Sequence, residues 1–284
     1  MAERPKKKVV KVDSPAPRKT TKAADGTEVP DSTWTPTPEA KKKAVTFRII
    51  ALVLWALAIA AEAYAIFGVL RPGLAATDQN GNYDINMVLL VGLIVGIAAL
   101  AIGGSLLWKQ ANRLDPASKK QPVKFWIQNQ LGLIITIIAF LPLIILIFTN
   151  KNMNGQQKAI AGGVAIVLAL LSGFLGTTVN APSVEQYSAE QTLVDTLTGD
   201  GVVYWVKGGK VFHLCDSVPA VQRESKDGQI YAGSIEAAHQ AGKERLTKQV
   251  KSEIEQCGIT VPEGFDLDAA LAELDAANAG SSDE

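Results

Sequence analysis

The chain has 284 residues, 48% of them hydrophobic, and its 28 Lys and Arg balance 28 Asp and Glu. That neutrality hides a bipolar molecule: residues 1–43 carry 11 basic against 6 acidic side chains, 44–177 carry 9 against 4, and 178–284 carry 8 against 18. The acidic distal part argues against nucleic-acid binding there, and two cysteines, Cys215 and Cys257, are too few for a disulfide framework, so a reducing compartment is the simpler home.

Residues 1–43 are polar and rich in Pro and Lys, with "PKKKVVKV" as their densest run. They are predicted to form a disordered basic tail drawn to anionic lipid phosphates. They do not read as a secretory signal, because the first apolar run begins only after them.

Residues 44–177 are predicted to form a domain of four transmembrane helices, at about 46–70, 87–108, 125–148 and 159–177. Each stretch is apolar all round and long enough to cross about 30 Å of hydrocarbon at about 1.5 Å per residue. Lys41, Lys42, Lys43 and Arg48 precede or open the first span, and Lys109, Arg113, Lys119, Lys120 and Lys124 lie between the second and third. Retained basic residues mark the cytoplasmic side, so both termini are expected there, in a cell membrane. Trp108 and Trp126 bracket the same basic loop at headgroup depth. Small residues four apart, Ala61 and Ala65, Gly92 and Gly96, Ser172 and Gly176, predict close helix packing within a bundle or between copies. Pro142 removes a backbone donor inside the third span and predicts a kink.

Glu62 is the acidic residue within the spans. An ionised carboxylate in lipid is costly, so Glu62 reads either as a proton or cation relay or as a protonated group that hydrogen-bonds across helices. Gln128, Asn129 and Gln130 stand at the cytoplasmic end of the third span. Neither His nor Asp occurs in a span, which argues against intramembrane serine or aspartyl protease chemistry.

Residues 178–200 space Val184, Tyr187, Val194 and Leu197 at helical intervals before "TGDG" and are predicted as an amphipathic connector. Residues 201–277 then read as a small acidic α+β domain, with 278–284 frayed. "VVYWVK" and "KVFHL" flank Gly208 and Gly209, predicting a two-residue hairpin that sets Tyr204 opposite His213 and Trp205 opposite Phe212. "QIYAG" is a third strand, Ser234 caps a helix interrupted at Gly242, a second helix runs from Glu244 through Leu246, Val250 and Ile254, and a last one follows Asp266. Trp205 and Phe212 are expected to pack on Ile235 and Ala238.

The order "VYW", "GG", "FHL", then "IYAGSIEAAHQAGKER", over Val202 to Val250, resembles a small hairpin-and-helix metal-binding module of bacterial proteins, related to the zinc-binding domain of Ada-type repair proteins. It is also similar to the tail of multi-pass actinobacterial membrane proteins with no assigned activity. The resemblance implies the fold and not its metal: the family's cysteine positions hold Val218, Thr247 and Val250, and His213 is the one ligand position matched. A substitute site from His213, Cys215, His239 and Cys257 would need a turn at Gly242 to fold the chain back.

The fold class expected is therefore an all-α polytopic membrane bundle with a small α+β cytoplasmic C-terminal domain. The activity expected is non-enzymatic, an anchor or scaffold presenting that domain to a protein partner from the lipid bilayer, with a homo-oligomer possible and no nucleic acid. The alternatives are a small transporter or channel subunit using Glu62, and a metal or redox sensor using His213 and Cys215. No phosphate-binding Gly-rich loop, His-Glu-x-x-His or nucleophile–base pair is present, so no catalytic, cofactor-binding or metal residue is assigned.

Overall fold

In the computed structural model, the structure describes residues 7–13, 20–22, 28–30, 33–75, 85–225 and 227–279. The chain is mostly helical, with four long apolar helices and a smaller region of strands and helices, and it divides into two compact units. One comprises 42–112 with 123–178; the other joins 1–41, 113–122 and 179–284.

The first unit holds the four helices long and apolar enough to cross a membrane: α1 (Pro38–Ala75), α2 (Met87–Leu114), α3 (Pro122–Thr149) and α4 (Gly155–Gly176). They extend beyond the predicted bounds because helix does not stop where apolar residues do; Lys41 to Lys43 continue α1 outward. Near its end α1 widens into a π-turn over Ala65–Leu70, where the Arg71 amide donates to Ile66, five residues back, just before the donor-less Pro72. Ala58, Ala65, Ile94, Ile97, Ala139, Phe140 and Ala165 build its core. Outward-facing Val88, Leu170 and Phe174 are 86, 70 and 78% exposed, the surface a helix bundle offers to lipid rather than water.

Two of the three small-residue stripes work as packing sites. Ala65 is buried, and Gly176 meets Gly132 so closely that a Cβ on Gly132 would lie 2.9 Å from the Gly176 carbonyl oxygen. The third does not: Gly92 and Gly96 face outward with nothing within 4 Å of a Cβ built on either. Their spacing puts them on one face, but Leu90, Ile94 and Ile97 turn the opposite face inward. Asn112 donates to the Gln128 carbonyl at 3.0 Å, Trp108 Nε1 does so at 2.7 Å, and Gln128 Nε2 donates to Asn112 Oδ1 at 3.1 Å, so these polar groups tie α2 to α3.

The second unit departs from the expected domain boundaries. α5 (Val184–Thr198) is capped by the Ser183 side chain and ends at left-handed Gly199. It is no mere connector: Leu193, Val194 and Leu197 share a core with Val203, Trp205, Phe212, Leu214, Ile235, Ala238 and Leu274. The N-terminal segment, expected to be disordered, contributes strands: β1 (Lys8–Lys11), and β2 (Thr20–Lys22), which pairs antiparallel with β3 (Glu28–Pro30). The rest of the tail expectation, at 1–6, 14–19, 23–27 and 31–32, lies outside the described residues, as do residues 76–84, 226 and 280–284.

β4 (Val203–Trp205) and β6 (Gln229–Gly233) pair antiparallel, and β1 adds to β6 in parallel from Lys8 opposite Gln229 to Lys11 opposite Ala232. Asp13 then accepts from the Ser234 amide at 2.7 Å and its hydroxyl at 2.6 Å, while Trp34 meets the Tyr187 ring edge-on at 4.9 Å. The basic side chains of β1 stay exposed; what holds the segment is its backbone, which composition does not report.

The hairpin register is as read from the sequence, with Tyr204 and His213 exchanging backbone hydrogen bonds at 2.9 and 2.8 Å. The turn is not. It closes from the Gly209 amide to the Val206 carbonyl, and neither Gly208 nor Gly209 has positive φ. β5 (Val211–Phe212) pairs in parallel with β7 (Arg245–Leu246), where a helix was expected. The Glu244 amide donates to Lys210 at 2.7 Å and that of Thr247 to Phe212 at 3.0 Å, so the hairpin edge captures this segment and helix starts only at α8 (Val250–Cys257). Between them lie α6 (Pro219–Glu224) and α7 (Ile235–Gln240), the latter capped by Ser234 as expected; α9 (Leu267–Ala279) closes the unit.

Candidate functional site, a buried polar core beneath the hairpin

Both histidines of the chain are buried, and each meets a buried glutamate. His213, directly after β5, is 4% exposed, with its Nδ1 2.6 Å from Glu253 Oε1. The other Glu253 oxygen accepts from the Leu214 amide at 3.0 Å. His239, in the last turn of α7, is 1% exposed; its Nε2 lies 2.6 Å from Glu190 Oε2 and its Nδ1 2.9 Å from the Lys243 carbonyl. Both ring nitrogens of His239 thus face oxygen, so Nδ1–H donates to the carbonyl and one further proton is shared between Nε2 and Glu190. Glu190 Oε1 accepts from the Leu246 amide at 3.0 Å and from Gln186 at 3.1 Å. Tyr187 stacks on the His239 ring at 3.9 Å and Phe212 meets it edge-on at 5.3 Å, excluding water from the pair. Burial raises the Tyr187 hydroxyl well above the ordinary tyrosine range, with the Glu190 charge adding to it, and that hydroxyl donates to the Arg113 carbonyl at 3.0 Å.

A third buried ion, Lys243, explains the turn. The residue is 3% exposed, and its ammonium donates to the carbonyls of Val206, at 2.6 Å, Lys207 and Gly209. A two-residue turn centred on the glycines would not direct three carbonyls at one cation. Gly242, at φ +88°, makes the reversal that brings Lys243 back beneath the hairpin.

The same reversal joins the cysteines. Cys215 and Cys257 form a disulfide across 42 residues with their Cα atoms 6.1 Å apart, and neither cysteine is free. The sequence offers too few cysteines for a disulfide framework, but this single bond forms because Gly242 reverses the segment between them and β7 interrupts it before α8. The four residues weighed as a substitute metal site are therefore divided among three separate bonds. Among the described residues no group of three or more His, Cys, Asp or Glu is arranged to hold a metal. Val218, Thr247 and Val250, the positions that the resemblance assigns to cysteine ligands, are all buried.

Sequence reasoning passed over Glu190, Glu253 and Lys243. The two acids had a legible signal: Glu190 falls between Tyr187 and Val194 on the apolar face of α5, and Glu253 between Val250 and Ile254 on that of α8. A carboxylate on an apolar stripe needs a buried partner.

In the membrane-helix unit, Glu62 is 5% exposed and its Oε1 has no hydrogen-bond partner among the described residues. No family model, curated protein or solved structure matches this chain.

Proposed function

We propose that this chain is a non-enzymatic multi-pass anchor that presents its α+β unit to a protein partner at the cytoplasmic face of a cell membrane. The observation that carries the reading is the composition of that unit: the N-terminal segment, the basic loop 113–122 and the C-terminal region form one compact body. These are the segments that the Lys and Arg pattern assigns to a single side, and that pattern favours the cytoplasm. The buried polar side chains His213, Glu253, His239, Glu190 and Lys243 are each engaged by structural partners, which suits a rigid recognition domain. The resemblance to an Ada-like module, and through it to actinobacterial membrane proteins, draws support from the Tyr204–His213 register and the Ser234-capped helix; in this reading the buried pairs and Lys243 replace the metal.

A photo-crosslinking residue at Lys210, whose side chain is 81% exposed, should give a discrete cross-linked product in cells. Trp205→Ala should abolish it by unfolding the unit. Absence of a product from Lys210 and every other exposed position of the unit would defeat the reading.

A small transporter or channel subunit is the second reading, favoured by the unpartnered oxygen of Glu62. Purified protein in vesicles that carries a proton or cation flux, lost in Glu62→Gln, would establish it. Under the anchor reading Glu62→Gln leaves assembly unchanged and no flux is seen.

A further inference from the structure

The Cys215–Cys257 bond runs parallel to another link. His213 stands two residues before Cys215, beyond the end of β5, and on α8 Glu253 stands four before Cys257, so Glu253 and Cys257 share a face of the helix. The hairpin and α8 are joined by two rungs one helical turn apart. If the disulfide opens, the 2.6 Å His213–Glu253 contact still holds the register.

Its two sulfurs are not equivalent. Cys215 and Cys257 are half-buried, and Ser217 Oγ lies 3.0 Å from Cys215 Sγ on an exposed edge. A disulfide sulfur carries no proton, so the hydroxyl donates to it. Among the described residues no such donor reaches Cys257, which ends α8, where the helix dipole works against a thiolate. Asp216, next to Cys215, opposes a thiolate there; the Ser217 donation and the helix end act in the other direction. Both make Cys215 the better leaving group.

The membrane pattern supplies an independent constraint. A permanent disulfide suits an oxidising compartment, whereas Lys41 to Lys43 and the basic loop favour the reducing side for this unit. A bond that exchanges satisfies both.

We propose that Cys215–Cys257 is a thiol-exchange site, attacked at Cys257 Sγ with Cys215 as the leaving thiolate, through which a dithiol reductant opens and closes the brace between hairpin and α8. One thiolate of the dithiol bonds to Cys257 as the Cys215–Cys257 bond breaks, and Cys215 leaves as a thiolate that takes a proton from solvent. The second thiolate of the reductant then displaces Cys257, which is protonated in turn. Two electrons pass to the protein, leaving two thiols, and the reductant departs as its own disulfide. A disulfide oxidant of the same class runs the steps backward.

The test uses the full chain in native membranes, equilibrated with dithiothreitol and its cyclic disulfide, quenched with acid and alkylated with a mass-tagged maleimide. Reversible interconversion of oxidised and reduced protein is expected, with protease resistance of the unit retained in both. With glutathione as a monothiol probe, rapid alkylation should trap the adduct on Cys257 over Cys215 by about tenfold, and Ser217→Ala should slow reduction about three- to tenfold while reducing that bias. The proposal is overturned if the cysteines remain thiols in the oxidising buffer, or if the bond yields only after the unit unfolds. An adduct mainly on Cys215, or Ser217→Ala with unchanged rate and bias, overturns the assignment of the leaving group.

Discussion

Replacing Glu190 by Ala tests whether the buried histidine pair holds the α+β unit together. The side chain is fully buried and accepts from three groups: His239 Nε2, the Leu246 amide and the Gln186 amide. Gln186 keeps its 2.8 Å bond to the Glu244 carbonyl, so the loss falls on His239 and Leu246. Each orphaned buried donor costs about 1–3 kcal/mol, and breaking a buried pair from one side costs about 3–5 kcal/mol. An expected loss of about 3–5 kcal/mol is a large share of the roughly 5–15 kcal/mol that a domain possesses. Glu190→Gln should behave differently. Its carbonyl can still accept from Leu246 and Gln186, while its amide donates to a neutral His239 whose Nδ1–H remains on the Lys243 carbonyl, so every group is satisfied and the cost should be about 1 kcal/mol. Pulse proteolysis of the full chain in urea measures both losses. Hydrogen exchange of the 244–249 segment adds a local readout: at tenfold per 1.4 kcal/mol, the Leu246 amide should exchange about 10²- to 4 × 10³-fold faster in the Ala variant. An Ala variant within 1 kcal/mol of the parent by proteolysis, or a Gln variant as costly as Ala, would refute the reasoning.

Trp205→Ala should cost about 3–5 kcal/mol, because the ring is 2% exposed in the shared core; urea denaturation followed by proteolysis checks it. Asp13→Ala removes the acceptor of the Ser234 amide and hydroxyl and should cost about 1–2 kcal/mol, with faster exchange at Gln229–Ala232 as β1 detaches; unchanged exchange there would mean that β1 contributes nothing to the sheet. Burial alone would raise the Glu185 carboxyl, but the Ser118 hydroxyl and the Lys119 and Lys120 amides donate strongly enough to hold it below the ordinary value of 4.5. Its stabilisation of the loop is therefore fully present above pH 4.5 and lost as pH falls through the lowered value, so loop protection by hydrogen exchange should fade on acidification, and earlier in Ser118→Ala. Glu236 has the opposite sign: burial raises its carboxyl against the Thr37 hydrogen bonds, so its contribution is present below 4.5 and lost as pH rises through the raised value, and Glu236→Gln should remove that component from the unit's pH–stability curve.

What the sequence determined alone was whatever depends on one segment and its solvent. The four spans follow from apolar runs long enough for a bilayer, and the Ser234 cap and the strand "QIYAG" from local hydrogen-bonding and alternation. The Tyr204–His213 register follows from apolar pairing on either side of a turn. Tertiary structure decided the rest, because those features join segments far apart along the chain. Cys215 reaches Cys257, His239 reaches Glu190 and Lys243 reaches the turn at Val206 only once Gly242 reverses the chain and α5 enters the core. β1 was hidden for a different reason: a strand held by main-chain hydrogen bonds with its lysines in solvent has the composition of a disordered tail, and what orders it is the free edge of β6 more than two hundred residues away.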